Sequence, residues 1–141
     1  MNIQSIANPL TVIELPLYSS RVPAGFPSPA DDYIEAKLDL NQHLIKRPSA
    51  TFFARADGDS MRGRGIFSGD LLIVDRSVKP LHGHIVIASI HGELTCKLLD
   101  TRARCLVAAN RNYPPIPITE DCGFYIEGVV TSSIRYQSCL P

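Results

Sequence analysis

From Ala50 onward the chain alternates short apolar stretches with turn residues, the pattern of a mainly β domain. Thr51-Phe52-Phe53-Ala54-Arg55-Ala56 forms the first expected strand there. Leu71-Leu72-Ile73-Val74-Asp75 is a short continuous apolar run suited to a buried strand. Ile85 to Ile90 and Glu93 to Leu99 flank His91-Gly92, which fits a two-residue hairpin turn. Cys105 to Ala109, Ile116 to Ile118 and Phe124 to Ile134 complete roughly seven strands joined by short turns.

Upstream the pattern changes. Ile13, Leu15 and Leu17 alternate with Glu14 and Pro16, a weak strand signal that proline confines to a sheet edge. The stretch from Val22 to Pro29 holds three prolines, which forbid a helix and favour extended, exposed backbone. Ser28 is placed to cap a helix with Pro29 in its first turn and Asp31 and Asp32 near its positive end. Tyr33, Ile34, Lys37 and Leu38 continue at helical spacing. Asp39 is placed to cap a second short turn, Leu40 to Ile45, which Pro48 stops. The expected organisation is an N-terminal arm (1–24), a linker with short helices (25–49) and a β-rich domain (50–141).

Composition narrows the field only slightly. The 141 residues carry 14 Lys+Arg and 14 Asp+Glu, a formal net charge of zero, and show no Lys/Arg run. Nothing in that balance calls for sequence-specific DNA binding or an anionic membrane. Cys96, Cys105, Cys122 and Cys139 form no C-x-x-C pair and are expected to be free thiols, which suits a reducing compartment. No signal peptide and no membrane span are expected, so the expected location is cytoplasmic.

Two polar residues stand in unusual places. Ser60 lies in Gly58-Asp59-Ser60-Met61, and Lys97 lies inside an apolar strand. With His91-Gly92 as the turn, Lys97 faces Val86, with Ala88, Thr95 and Leu99 on the same side. Glu93 is then roughly 13 Å away along the strand. A serine hydroxyl needs a base to become a nucleophile, and a lysine serves only when neutral, which burial without a carboxylate favours. Each residue has a plainer alternative: a turn serine, a snorkelling strand-edge lysine. Other motifs fit less well. Arg62 occupies the last position of a would-be G-x-S-x-G, and Met61 replaces an oxygen ligand of a would-be calcium loop. His82, His84 and His91 are interleaved with strand and turn residues, so neither a metal nor a cofactor is called for.

Four motifs in order carry a resemblance: Gly58-Asp59-Ser60-Met61, Gly69 to Asp75, Gly83 to Ala88, and Gly92 to Leu98. Together they resemble the LexA-type self-cleaving Ser-Lys peptidases. Gly25 to Tyr33, Asp39 to Gln42 and Pro48 to Thr51 resemble the UmuD-like branch of that family and its plasmid-borne members. The 24 residues before Gly25 are too few for the DNA-binding domain that repressors of the family carry there. The resemblance implies a compact LexA-like C-terminal peptidase domain with a short helical segment and an extended N-terminal arm. It implies Ser60 as nucleophile, Lys97 as general base and Ala24-Gly25 as the scissile pair. It also implies a homodimer, activation by a RecA filament on single-stranded DNA, and a shortened product that joins a UmuC-type Y-family polymerase in error-prone synthesis. The alternative is a regulatory subunit of a polymerase in which catalysis is secondary.

Overall fold

The computed structural model describes residues 11–19, 21–25 and 34–138. The chain divides into two units, Met1–Lys46 and Arg47–Pro141.

In the first unit, β1 (Leu15–Tyr18) pairs antiparallel with β2 (Ile34–Leu38). With two strands among the described residues of this unit, both are edges, and Pro16 is tolerated there. The helix expected through Tyr33, Ile34, Lys37 and Leu38 is corrected in its described part: residues 34–38 form a strand. Ile34, Ala36 and Leu38 alternate with Glu35 and Lys37, so these five residues satisfy period 2 as well as helical spacing. Pairing with β1 decides between them, because a short helix pays a nucleation cost that a strand with a waiting partner avoids. The expected cap at Ser28 lies outside the described residues. The second turn forms as expected. In α1 (Leu40–Leu44), Asp39 accepts from the Asn41 N–H at 2.9 Å, and Ile45 ends the helix.

The second unit is one seven-stranded antiparallel sheet. Its strands are β3 (Thr51–Arg55), β4 (Leu71–Asp75), β5 (Ile85–Ile90), β6 (Glu93–Asp100), β7 (Cys105–Val107), β8 (Ile116–Pro117) and β9 (Tyr125–Ile134). Their order across the sheet is β3-β4-β9-β5-β6-β7-β8, so the last strand is inserted between two hairpins. The β5–β6 turn is tight: His91 and Gly92 both have positive φ, 52° and 78°, as a two-residue hairpin of matching twist requires. Val86 pairs with Lys97, the register expected from the sequence. β9 shifts register against both neighbours, which adds twist to the middle of the sheet.

Strand alternation sorts the core into two clusters. Val86, Ala88, Ile90 and Leu99 join Leu106, Cys122 and Val129. Ile87 joins Met61, Ile66, Leu72 and Val74, with Cys96 and Leu98 packed against them. The second cluster lies beneath the Ser60 turn. No helix among the described residues is long and apolar enough to cross a membrane.

Candidate active site

Ser60 sits in the long connection from β3 to β4, and several local features fix it there. Gly58 has a φ of 87°, a left-handed conformation that only glycine enters without strain, and it turns the chain out of the β3 line. Asp59 accepts from the Arg62 N–H at 3.2 Å, closing the turn, and a 3₁₀ turn follows over Arg62–Arg64. Met61, 3% exposed, is sunk into the core. The serine is thus held between a glycine hinge and an apolar anchor.

The glycine-rich stretch that follows is held by Arg135. Its guanidinium donates to both carboxylate oxygens of Asp70 at 3.1 and 3.0 Å and to the Gly65 carbonyl at 2.6 Å, and it lies 3.8 Å over the Phe67 ring. The Arg135 hydrogen bond holds the Asp70 carboxyl below its usual range. Burial opposes this, and the Phe67 N–H assists.

Lys97 approaches from β6. Its Nζ lies 3.0 Å from Ser60 Oγ and 2.8 Å from Thr95 Oγ1. The lysine is 9% exposed, and among the described residues no carboxylate pairs with it. Burial lowers its pKa from the ordinary lysine value, with the neighbouring Cys96 acting weakly the other way. Burial likewise pushes the Cys96 thiol up to about 11, so near neutral pH it contributes no negative charge that would hold Lys97 protonated. Thr95 completes the geometry. A neutral amine has two N–H donors and one lone pair; with one N–H given to the threonine hydroxyl, the lone pair is free to meet the Ser60 O–H.

A cleft of about 300 Å³ opens over the pair. The end of β3 supplies Ala54, the turn after it Ala56 and Gly58, β6 supplies Leu94 and Thr95, and Ile66, Leu72 and Ile87 line it between. β7 pairs only with Leu98–Asp100, so among the described residues the part of β6 from Glu93 to Lys97 is an open edge. An extended chain can add itself to such an edge through backbone hydrogen bonds.

The other expected residues fall elsewhere. Ala24 and Gly25 belong to the first unit, where they form an exposed bend outside regular structure. His82 accepts from the Thr101 N–H and His84 from the Leu81 N–H. Cys96, Cys105 and Cys122 are free thiols; Cys139 lies outside the described residues. Three residues at the site escaped the sequence reading in these roles. The sequence sets Thr95 beside Lys97 as a neighbour, and its hydroxyl two residues away on one strand face is the signal of a closer role. Asn110 and Tyr113, which hold Asp59, lie some fifty positions from it, and no spacing rule joins them.

The turn serine and its cleft fit a class of protein, the serine peptidases, in some of which a lysine takes the place of histidine. The chain belongs to the Peptidase S24-like family, whose model matches residues 16–131, and it is of the LexA/UmuD type. It is 52% identical over 121 residues to protein SamA of Salmonella typhimurium strain LT2, covering 85% of this chain and 84% of SamA. It is 45% identical over 132 residues to protein MucA of Escherichia coli, covering 92% of this chain and 90% of MucA. LexA repressor 1 of Xanthomonas campestris pv. campestris is 38% identical over 132 residues, 92% of this chain and 64% of that repressor. The family resemblance drawn from the four motifs is borne out.

Proposed function

We propose that this chain is a self-cleaving serine peptidase that hydrolyses its own Ala24–Gly25 bond, with Ser60 as nucleophile and Lys97 as general base. The observation that carries this is the 3.0 Å approach of Ser60 Oγ to the Nζ of a buried lysine whose pKa is lowered. Neutral Lys97 takes the Ser60 proton as Oγ bonds to the Ala24 carbonyl carbon. The tetrahedral intermediate collapses with loss of the C–N bond, and the Gly25 nitrogen takes its proton from Lys97. Water then hydrolyses the acyl-enzyme with Lys97 again as base, and the serine proton is restored. The exposed, irregular backbone at Ala24 and Gly25 supports their role as substrate, since a cleft of this kind needs an extended chain.

The shortened product, as a homodimer, serves a UmuC-type translesion polymerase in mutagenesis after DNA damage. Similarity to the UmuD-like proteins SamA and MucA supports that role. A RecA filament on single-stranded DNA triggers the cut by raising the population in which the arm occupies the cleft. Activation is then a shift in equilibrium and needs no new chemistry.

The test is to incubate the full chain with RecA, a nucleoside triphosphate and single-stranded DNA, and to read the new N-terminus by mass. A product beginning at Gly25, absent from Ser60→Ala, supports the proposal. A product beginning elsewhere, or equal cutting of Ser60→Ala, contradicts it. The chain 25–141 carrying Ser60→Ala is then supplied to the polymerase. Restored lesion bypass places the peptidase upstream, as the step that makes the binding form.

A further inference from the structure

The Ser60 turn is braced from a segment that the chemistry above does not use, the loop after β7. The Gly63 N–H donates to the Ala109 carbonyl at 2.8 Å. The approach is so close that a Cβ on Gly63 would stand 2.5 Å from that oxygen. Asn110 Nδ2 donates to the Asp59 carbonyl at 3.0 Å. The other end of the same amide is also tied down, because Asn110 Oδ1 accepts from the Asn112 N–H at 3.0 Å, and the Tyr113 N–H closes the loop onto the Asn110 carbonyl at 3.2 Å. With both ends engaged, the amide has one orientation. The Tyr113 hydroxyl donates to the Asp59 carboxylate.

The Asp59 carbonyl and the Ser60 N–H are opposite ends of one planar peptide group. Held by Asn110 together with the Arg62 N–H, which reaches it at the longer distance of 3.2 Å, the carbonyl aims the N–H to the opposite side. Among the described residues no acceptor takes the Ser60 N–H. A free backbone donor on the nucleophile's own residue is close to the atom that attacks, so it is a candidate to meet the oxygen of the attacked carbonyl. A donor fixed in advance where negative charge develops stabilises the transition state far more than one that must reorient.

We infer that Asn110 is a positioning residue which, acting through the Asp59–Ser60 peptide, holds the Ser60 N–H as the oxyanion donor, with Tyr113 bracing the same turn through Asp59; this rests on Ser60 being the nucleophile. Loss of one direct oxyanion donor costs about 10²–10³ in rate, and an indirect clamp should cost less.

The experiment follows self-cleavage of the full chain by mass from pH 7 to 10.5, under conditions in which the wild type cuts. Asn110→Ala should lower the plateau rate about 10- to 100-fold and leave the midpoint of the pH profile in place, because the surroundings of Lys97 are untouched. Asn110→Asp keeps the size and the acceptor for Asn112 but lacks the donor, so it should cut no faster than the alanine variant. A residue that merely folded the loop would be rescued by aspartate, and that rescue overturns the inference. A plateau within about twofold of wild type in a folded Asn110→Ala, or a loss explained by a shifted midpoint, overturns it as well. If the alanine variant fails to fold by circular dichroism, the aspartate variant carries the test. Ser60→Ala separates the two claims. If it is inert while both Asn110 variants match wild type, only the clamp fails; if it cuts like wild type, the nucleophile assignment fails first.

Discussion

Replacing Thr95 with valine removes one oxygen from beside Lys97 and changes the shape of the site very little. The hydroxyl lies 2.8 Å from Nζ and accepts an N–H from the lysine in either protonation state. Its bond to an ammonium is worth about 1.5–3 kcal/mol, and its bond to a neutral amine about 0.5–1.5 kcal/mol. The difference of about 1 kcal/mol favours the charged form. Losing it makes Lys97 neutral more readily, which at about 1.36 kcal/mol per pH unit moves the midpoint of the cleavage profile down by about 0.7 of a unit. The same change frees the amine to turn away from Ser60, so the plateau should fall about 10-fold even as the midpoint moves to lower pH. The assay is the first-order rate of loss of intact chain, read by mass at half-unit steps from pH 7 to 10.5. A midpoint that moves up, or a plateau equal to wild type, would refute the role given to Thr95 and the direction argued for the lysine.

Stability measurements test the same site and the sheet around it. Because the folded chain disfavours the protonated Lys97, stability rises with pH from its lowered pKa to the ordinary lysine value of about 10.4. Lys97→Met should therefore be more stable than wild type in urea at pH 6, with the gap closing by pH 10.5; a gap that does not change with pH would contradict this. Asp70, held low chiefly by Arg135, contributes stability above the ordinary carboxylate range that is lost as pH falls through its lowered pKa. Asp70→Asn should melt lower than wild type at pH 7 and much closer to it at pH 2. A Cβ at Gly128 would meet Val74 Cγ1 at 2.6 Å and the Asp75 carbonyl at 3.2 Å, where β9 is wedged against β4. Gly128→Ala should lose about 1–2 kcal/mol in urea, an overpacking cost of about 1–3 partly offset by a stiffer unfolded chain.

The hairpin that carries Lys97 is legible because its turn is short and well marked. The runs 85–90 and 93–99 mark two strands, and a two-residue turn between them then leaves one register. The strand at 34–38 was misread for the opposite reason. Five residues are too few to separate two periods, and the deciding partner, β1, lies on the far side of the proline-rich segment. The meeting of Ser60 with Lys97 is not written in any local pattern. The two residues are 37 positions apart in different hairpins, and β9 joins those hairpins by entering between β4 and β5. Their unusual settings, a serine in a Gly-Asp turn and a lysine in an apolar strand, suggest a pair, and the succession of family motifs joins them. Asn110 and Tyr113 were missed because a polar loop reads as solvated until the topology lays it against the serine turn.

The central claim, that Ser60 and Lys97 together cut the chain after Ala24, is tested most directly by intact mass after incubation at alkaline pH without partners. Wild type is run beside Ser60→Ala and Lys97→Ala. The account predicts that wild type alone yields the product covering residues 25–141 and that both variants stay whole. Equal cutting of all three would contradict it, because the bond would then break without the serine or the lysine.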